Sequence, residues 1–370
     1  MSILLANITF ADEKIATSQS KLTPNEIVKE IAPFVDEDTV LVCYVNCAAM
    51  NNLHKLSTIC SSVIKTDDIV GLRVKNILKQ MNDYWQSIEK KQQKGYFSEL
   101  LESNIDHFYI IFNLKYLHLG AFYVVPSVNG DMNKIKIVKN FFDVQDKKDA
   151  LTWTLVKDNY LIVGGKNIAL SYMTGWFRSQ ERMGTIYSFA SLLTDDCCQS
   201  LGRISNVDYR KDIFKNYTSK NIPILKNALK ELESSNAIKV IILNTGTSAA
   251  NEFLWCKNMK APINEITLDF ICTSRKYIVF GVDTDFPSIK ICIQTDSHEK
   301  SENFRHYLTT IIHASCNNYF ELPAVANNDY EERIADKEEW TKFIMLFIPP
   351  IINDKLEINI NDNFFQTIVR

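Results

Sequence analysis

Glycine and proline are scarce, 11 and 9 among 370 residues, which excludes a collagen-like repeat or a Pro/Gly-rich low-complexity chain. Charge of one sign is lacking too. The 41 Lys and Arg stand against 44 Asp and Glu, a formal net charge of -3, so there is no broad basic surface of the kind that phosphate backbones require. Nucleic acid is not an expected partner. No apolar run approaches the ~18 residues of a membrane-spanning helix, and no transmembrane span is expected. The nine cysteines, Cys43, Cys47, Cys60, Cys197, Cys198, Cys256, Cys272, Cys292 and Cys316, are odd in number and contain no CxxC spacing. They signal neither a disulfide framework nor a zinc ribbon, and the expected state of each is a buried thiol behaving as a small apolar side chain.

Recognisable catalytic constellations are missing as well. GxSxG and HExxH do not occur. Of the six histidines, His54, His107, His118, His298, His306 and His313, His306 and His313 share a helix side but stand two turns, about 10 Å, apart, too far for one metal ion. A meeting of His107 with His118 across a hairpin depends on the strand register. Gly164-Gly165-Lys166 lies between a strand and a helix yet lacks both phosphate-loop spacings, so a tight turn is expected. Asp283 with Asp285, and Asp195 with Asp196, are expected to form turns rather than carboxylate pairs. Trp85, Trp153, Trp176, Trp255 and Trp340 are expected in the core. The sequence therefore nominates no catalytic residue, no cofactor-binding residue and no metal ligand.

What is present is a soluble globular composition, 46% hydrophobic and 23% charged, with clear periodicities. The stretch 263–313 carries three strand-like runs: Ile266 to Thr273 with one apolar and one mixed face, Tyr277 to Val282 apolar on both faces, and Ile289, Ile291 and Ile293 in strict alternation with Lys290, Cys292 and Gln294. A helix should follow from Ser297, burying Phe304, Tyr307, Leu308, Ile311 and Ile312 at spacings of three and four. Earlier, Thr23-Pro24-Asn25-Glu26 starts a helix that carries Ile27, Val28 and Ile31 inward and stops near Pro33. Val40 to Asn46 is a central-strand run. Helices are expected over 50–64 and 71–101, strands over 105–114 and 119–128, a further apolar run at Ile135 to Val138, and one strand from Leu155 to Val163 ending in Gly164-Gly165. After a polar break at 178–185 come a helix over 186–193, a strand at 198–204, a helix over 221–232, a strand at Ile238 to Leu243, a helix near 338–344 and a last strand through Leu356, Ile358 and Ile360.

Several stretches together resemble a family of uncharacterised secreted proteins of planctomycete-type bacteria: Ala32 to Val40, the strand Leu41 to Asn46, Asn104 to Ile111, Val124-Val125-Pro126, and Tyr160 to Gly164. The chain departs from that pattern at Asn46, where an acidic residue is usual. The resemblance implies an exported protein without assigned chemistry. It agrees with the apolar N-terminal run Ile3 to Ala11, whose Thr9 and Ala11 suit a signal-peptide cleavage site.

The expected architecture is α+β, with two related halves, each a mainly antiparallel sheet covered by helices on one face. The expected division is 1–22 as a signal remnant or N-terminal extension, 23–180 as the first half, 181–335 as the second, and 336–370 as a helix and strand packing on the second. The expected function is a non-enzymatic exported or cell-envelope protein that binds a protein or polymer through a groove between the halves. The alternatives are a hydrolase with a loop-assembled site at the junction, and a cytoplasmic structural protein with reduced thiols.

Overall fold

The computed structural model describes residues 22–56, 97–113, 121–143, 153–164, 219–244, 275–321 and 347–361, except 38, 53, 54 and 158, together with 341, 345 and 364. The first helix, α1 (Pro24–Ile31), starts where the sequence places it. Thr23 Oγ1 accepts from the Glu26 N–H at 3.3 Å, while Glu26 Oε2 accepts from the Thr23 N–H at 2.7 Å. This reciprocal cap satisfies two of the three free donors of the helix start, Pro24 having no N–H. Ile27 and Ile31 are buried completely, and a short 3-10 turn, Ala32–Phe34, leads into strand β1 (Thr39–Asn46). Asn46 ends the strand and caps the short helix α2 (Cys47–Met50), its Oδ1 accepting from the N–H groups of Ala48 and Ala49 at 3.1 and 3.0 Å.

Helix α3 (Ser98–Glu102) precedes the hairpin-like pair β2 (His107–Asn113) and β3 (Ala121–Val125). The apolar run at 135–138, whose β-branched content suggested an extended segment, belongs instead to helix α4 (Met132–Asp143). Asp131 Oδ1 accepts from the Asn133 and Lys134 N–H groups at 2.8 and 3.3 Å, and Ile135, Val138 and Phe141, spaced by three, are buried. The cap and the helical spacing outweigh β-propensity. The single strand expected over 155–163 is likewise two strands, β4 (Trp153–Lys157) and β5 (Tyr160–Gly164), paired antiparallel. The sequence Asp158-Asn159 between them has hairpin-turn chemistry.

Further along are α5 (Asn221–Glu231), β6 (Ile238–Leu243), β7 (Arg275–Asp283), β8 (Ser288–Thr295), α6 (His298–Glu321), β9 (Ile351–Ile352) and β10 (Lys355–Ile360). The expected cap of α6 is present, with Ser297 Oγ accepting from the Lys300 N–H at 3.2 Å. The expectations for 1–21, for helices over 57–96, 186–193 and 338–340, for the helix after Gly164, for the boundary at 178–185, and for strands at 198–204 and 266–273 lie outside the described residues.

The ten strands among the described residues form one sheet in the order β4-β5-β3-β2-β1-β6-β7-β8-β10-β9, antiparallel at every contact. An α+β architecture is what the chain adopts. Its helices lie on both faces of the sheet, which corrects the expectation of one covered face. Alternation along β1 shows this: Val42 and Tyr44 pack with Ile27 and Ile31 of α1 and Leu225 and Leu229 of α5 on the first face. Cys43 and Val45 pack with Leu100 of α3 and Ile135 and Val138 of α4 on the second. Phe304 of α6 joins Ile293 and Leu356, and Ile293 shares the second face because its neighbour Cys292 belongs to the first. A strand covered on both sides loses the polar alternation that would have revealed one face from sequence. Each fully buried Ile or Leu in these layers contributes about 1.5–3 kcal/mol of transfer free energy.

The end of α5 approaches the sheet closely at Gly281 of β7. A Cβ there would overlap Ser235 Oγ and come within 2.7 Å of Leu232 Cδ2. Gly281→Ala is therefore expected to destabilise the protein by about 1–3 kcal/mol in urea denaturation, and adding Ser235→Gly should restore part of the loss. Wild-type stability in the single variant would mean that the α5 end is not held against β7.

Candidate functional site

Three features of the sheet bring chemistry together. The first is an apolar row at the centre of the second face. Leu41, Ile242 and Ile278 face one another across β1, β6 and β7, and Val240, Phe280 and Ile291 do so across β6, β7 and β8. These side chains are only half-buried, whereas Val42, Ile241 and Val279, on the same strands but the first face, are 1%, 0% and 0% exposed. The row runs between the part of the sheet packed by α3 and α4 and the part packed by α6.

The second feature lies on the first face under α1. Glu30, three residues beyond Ile27 and so at the margin of the buried stripe, points at β2. Its Oε2 accepts from the Tyr109 hydroxyl at 2.6 Å and lies 2.8 Å from His107 Nε2. His107 and Tyr109 are two apart on β2 and share a face. Tyr44 of β1 completes the cluster, its ring centroid 5.5 Å from His107 and 5.7 Å from Tyr109. An ionised carboxylate only accepts, so the Glu30 contact fixes the imidazole proton on Nε2. Burial raises the Glu30 carboxyl, but the hydrogen bonds from His107 and Tyr109, with the charge of His107, outweigh it and hold the group below its ordinary value. The Tyr109 hydroxyl is pushed up, chiefly by burial and then by the negative charge of Glu30.

The third feature is a network of charges at the other end of the first face. Glu231, the last residue of α5, meets Lys355 Nζ at 3.0 Å and Lys290 Nζ at 3.6 Å, and Glu357 meets the same two ammonium groups at 2.8 and 3.1 Å. The four side chains are 18–23% exposed. Cys292, fully buried, faces Glu357 in the β8–β10 ladder. Its Sγ and the oxygens of Glu231 and Glu357 all lie within 4.8 Å of one another, so these three residues can hold a metal ion. Burial raises the Glu357 carboxyl and lowers the Lys355 amine, but their mutual contact, with Lys290 and Glu231, reverses both, leaving Glu357 lowered and Lys355 raised. Burial pushes the Cys292 thiol up to about 12, and Glu231 adds to it.

Residues singled out in the sequence fall variously. Asp283 Oδ1 accepts from the N–H groups of Asp285 and Phe286 at 2.9 and 3.0 Å, which is the turn role expected of it. His306 and His313 are exposed on α6, and His298 Nδ1 meets the Asn353 carbonyl at 2.6 Å. Cys43, Cys47 and Cys292 are buried free thiols. Gly164 ends β5. Trp153 lies in β4. His54, His118, Asp195, Asp196, Gly165, Lys166, the other four tryptophans and the remaining cysteines lie outside the described residues.

Sequence reasoning left the partner of His107 open, offering only a register-dependent meeting with His118, which lies outside the described residues. The partner of His107 is Glu30, 77 positions away, and no local spacing carries such a contact. The lysine–glutamate network left a fainter signal, polar residues alternating along two strands. Those residues meet only because β10 lies beside β8.

Comparison of the chain with protein-family models, with curated proteins and with solved structures gave no match.

The Glu30 cluster sets an acid dependence whose sign is determined. A carboxyl held below its unfolded value of 4.5 adds stability that is present above that pH and is lost as pH falls through the folded value. Urea midpoints measured from neutral to acid pH should show wild type more stable than Glu30→Gln above about pH 4.5, with the gap closing below it. A gap independent of pH would remove Glu30 from the acid transition.

Proposed function

We propose that the chain is a non-enzymatic exported or cell-envelope protein, built of two related halves, that binds a protein or polymer through the apolar row on the second face of the sheet. The observation that carries this reading is the contrast between the two faces of β6 and β7. One is sealed by α1 and α5; the other keeps Val240, Ile242, Ile278 and Phe280 half-open. Apolar side chains aligned across adjacent strands form a surface that gains free energy when a partner covers it.

The two-halves reading is supported by the strand order, which runs β1-β2-β3-β5-β4 outward on one side and β6-β7-β8-β10-β9 on the other. Each series is preceded by a helix, α1 or α5, and has a helix, α4 or α6, after its third strand. An approximate two-fold axis between β1 and β6 would place the row on the seam. Export is supported by the apolar run Ile3 to Ala11 and by the resemblance to the secreted planctomycete-type family.

Replacing Phe280 or Val240 with the photo-crosslinker p-benzoylphenylalanine in cells tests both parts. The expected product joins the chain to an envelope component and is recovered in the envelope fraction, with the N-terminal segment removed as read by mass spectrometry. Crosslinks only to the chain itself would overturn the binding surface. A cytoplasmic protein with residues 1–11 intact would overturn export.

The Glu30–His107 contact favours a second reading, a hydrolase. With the Nε2 proton held by Glu30, Nδ1 is the nitrogen left to take a proton from water or a hydroxyl. A panel of ester, phosphate, glycoside and peptide substrates should then show turnover that His107→Gln lowers by about 10²–10⁴-fold. Inactivity across the panel, with and without divalent cations, would sink it.

A further inference from the structure

We propose that Glu231, Cys292 and Glu357 form a binding site for a zinc-type divalent cation, which enters by displacing Lys290 and Lys355 from the two carboxylates. The site lies on the first face of the sheet and stands independently of the binding surface on the second.

The donor set comes first. One sulfur and two carboxylate oxygens suit a borderline cation such as Zn²⁺ or Co²⁺, whereas calcium and magnesium take oxygen alone. In a tetrahedral site with bonds of about 2.0–2.3 Å, neighbouring donors stand roughly 3.4–3.6 Å apart. The three donors here already lie within 4.8 Å, so rotations of the two glutamate side chains suffice to close them. Cys292 cannot move much, since β8 pairs with β7 and β10 on either side of it.

An independent observation is the state of the thiol. Cys292 is completely buried, and among the described residues its Sγ has no hydrogen-bond partner. An apolar side chain would fill the same space without a polar atom. Its neighbours across the sheet are Val279 on β7 and Glu357 on β10. The sulfur therefore sits between the core and the carboxylates, beside the place where Glu231 and Glu357 converge.

The lysines are the obstacle and also the diagnostic. Without a cation the two ammonium groups balance the two carboxylates, and burial of four charges is tolerable only in that paired form. Their side chains are 18% and 23% exposed, and a lysine stem is long enough to carry its head group outward into water. Uptake is then balanced as follows. The thiol S–H bond breaks, the proton leaves to solvent, the thiolate sulfur bonds to the cation, and each carboxylate exchanges an ammonium for a bond to the metal. Water completes the coordination. The lysines remain protonated and nothing is oxidised or reduced.

This arrangement separates a metal site from a charge network that serves the fold alone. Removing the lysines would weaken a purely structural network and create no affinity for cations. In a metal site it deletes the competing cations and strengthens binding. The full-length protein, purified free of metal, is titrated with Co²⁺ alone and followed by absorption. The expected result is a thiolate-to-cobalt charge-transfer band in the near ultraviolet, abolished by equimolar Zn²⁺ and absent in Cys292→Ser, which leaves the other eight cysteines in place. The double variant Lys290→Met/Lys355→Met should bind cobalt at least about tenfold more tightly. Glu231→Gln and Glu357→Gln, at partly buried positions, should each weaken binding about tenfold or more, and they serve as the readout if Cys292→Ser fails to fold. The absence of a band in the wild type, a band that persists in Cys292→Ser, or lysine variants with unchanged or weaker affinity would each overturn the proposal.

Discussion

Burial of strand β1 on both of its sides is the constraint on which the rest of the structure depends. β1 pairs with β2 on one edge and β6 on the other, so its backbone groups are satisfied within the sheet and its side chains must find cover above and below. Cover on the first face comes from α1 and α5, and on the second from α3 and α4 around Cys43 and Val45. Because strand residues alternate, each helix layer reads a different half of the same sequence. Val40 to Val45 must then be apolar almost without interruption, as it is.

The two helices of the first face also decide where polar chemistry gathers. α1 and α5 each bring a glutamate to the sheet near their carboxyl ends, Glu30 and Glu231, where the helix dipole disfavours a negative charge. Each is stabilised by donors from the strands beneath it. For Glu30 these are an imidazole and a phenol, and for Glu231 two ammonium groups. The clusters differ in chemistry while arising from the same placement, a carboxylate lowered onto a strand face just past the apolar stripe. The second face has no counterpart among the described helices, and its central apolar row gives it a different character.

Much of the local structure was legible in the sequence. The Thr23–Glu26 cap, the alternation of β8 and the Ser297 cap of α6 are local signals, each contained within a few residues. The errors also have local causes. Ile135 to Val138 looks extended because β-branched residues favour strands, yet Asp131 starts a helix there and Phe141 continues its buried spacing. Leu155 to Val163 looks like one strand because both members of a hairpin are apolar. The contacts that assemble the candidate sites were out of reach. Glu30 and His107 are 77 positions apart, and Glu231 and Lys355 are separated by 124. A pairing order that lays β10 next to β8 cannot be inferred from either strand alone.

The junction of β1 with β6 has a consequence for synthesis. Leu41 pairs with Ile242, so during translation the open edge of β1 waits while about 200 further residues are made, roughly 10–40 s at ordinary rates of elongation. From the completion of β2 onward, a nearly uninterrupted apolar strand docked on one edge alone presents unpaired N–H and C=O groups to whatever chain is nearby, including other copies emerging from the same message. Cover for that edge arrives only with β6, about two-thirds of the way along the chain.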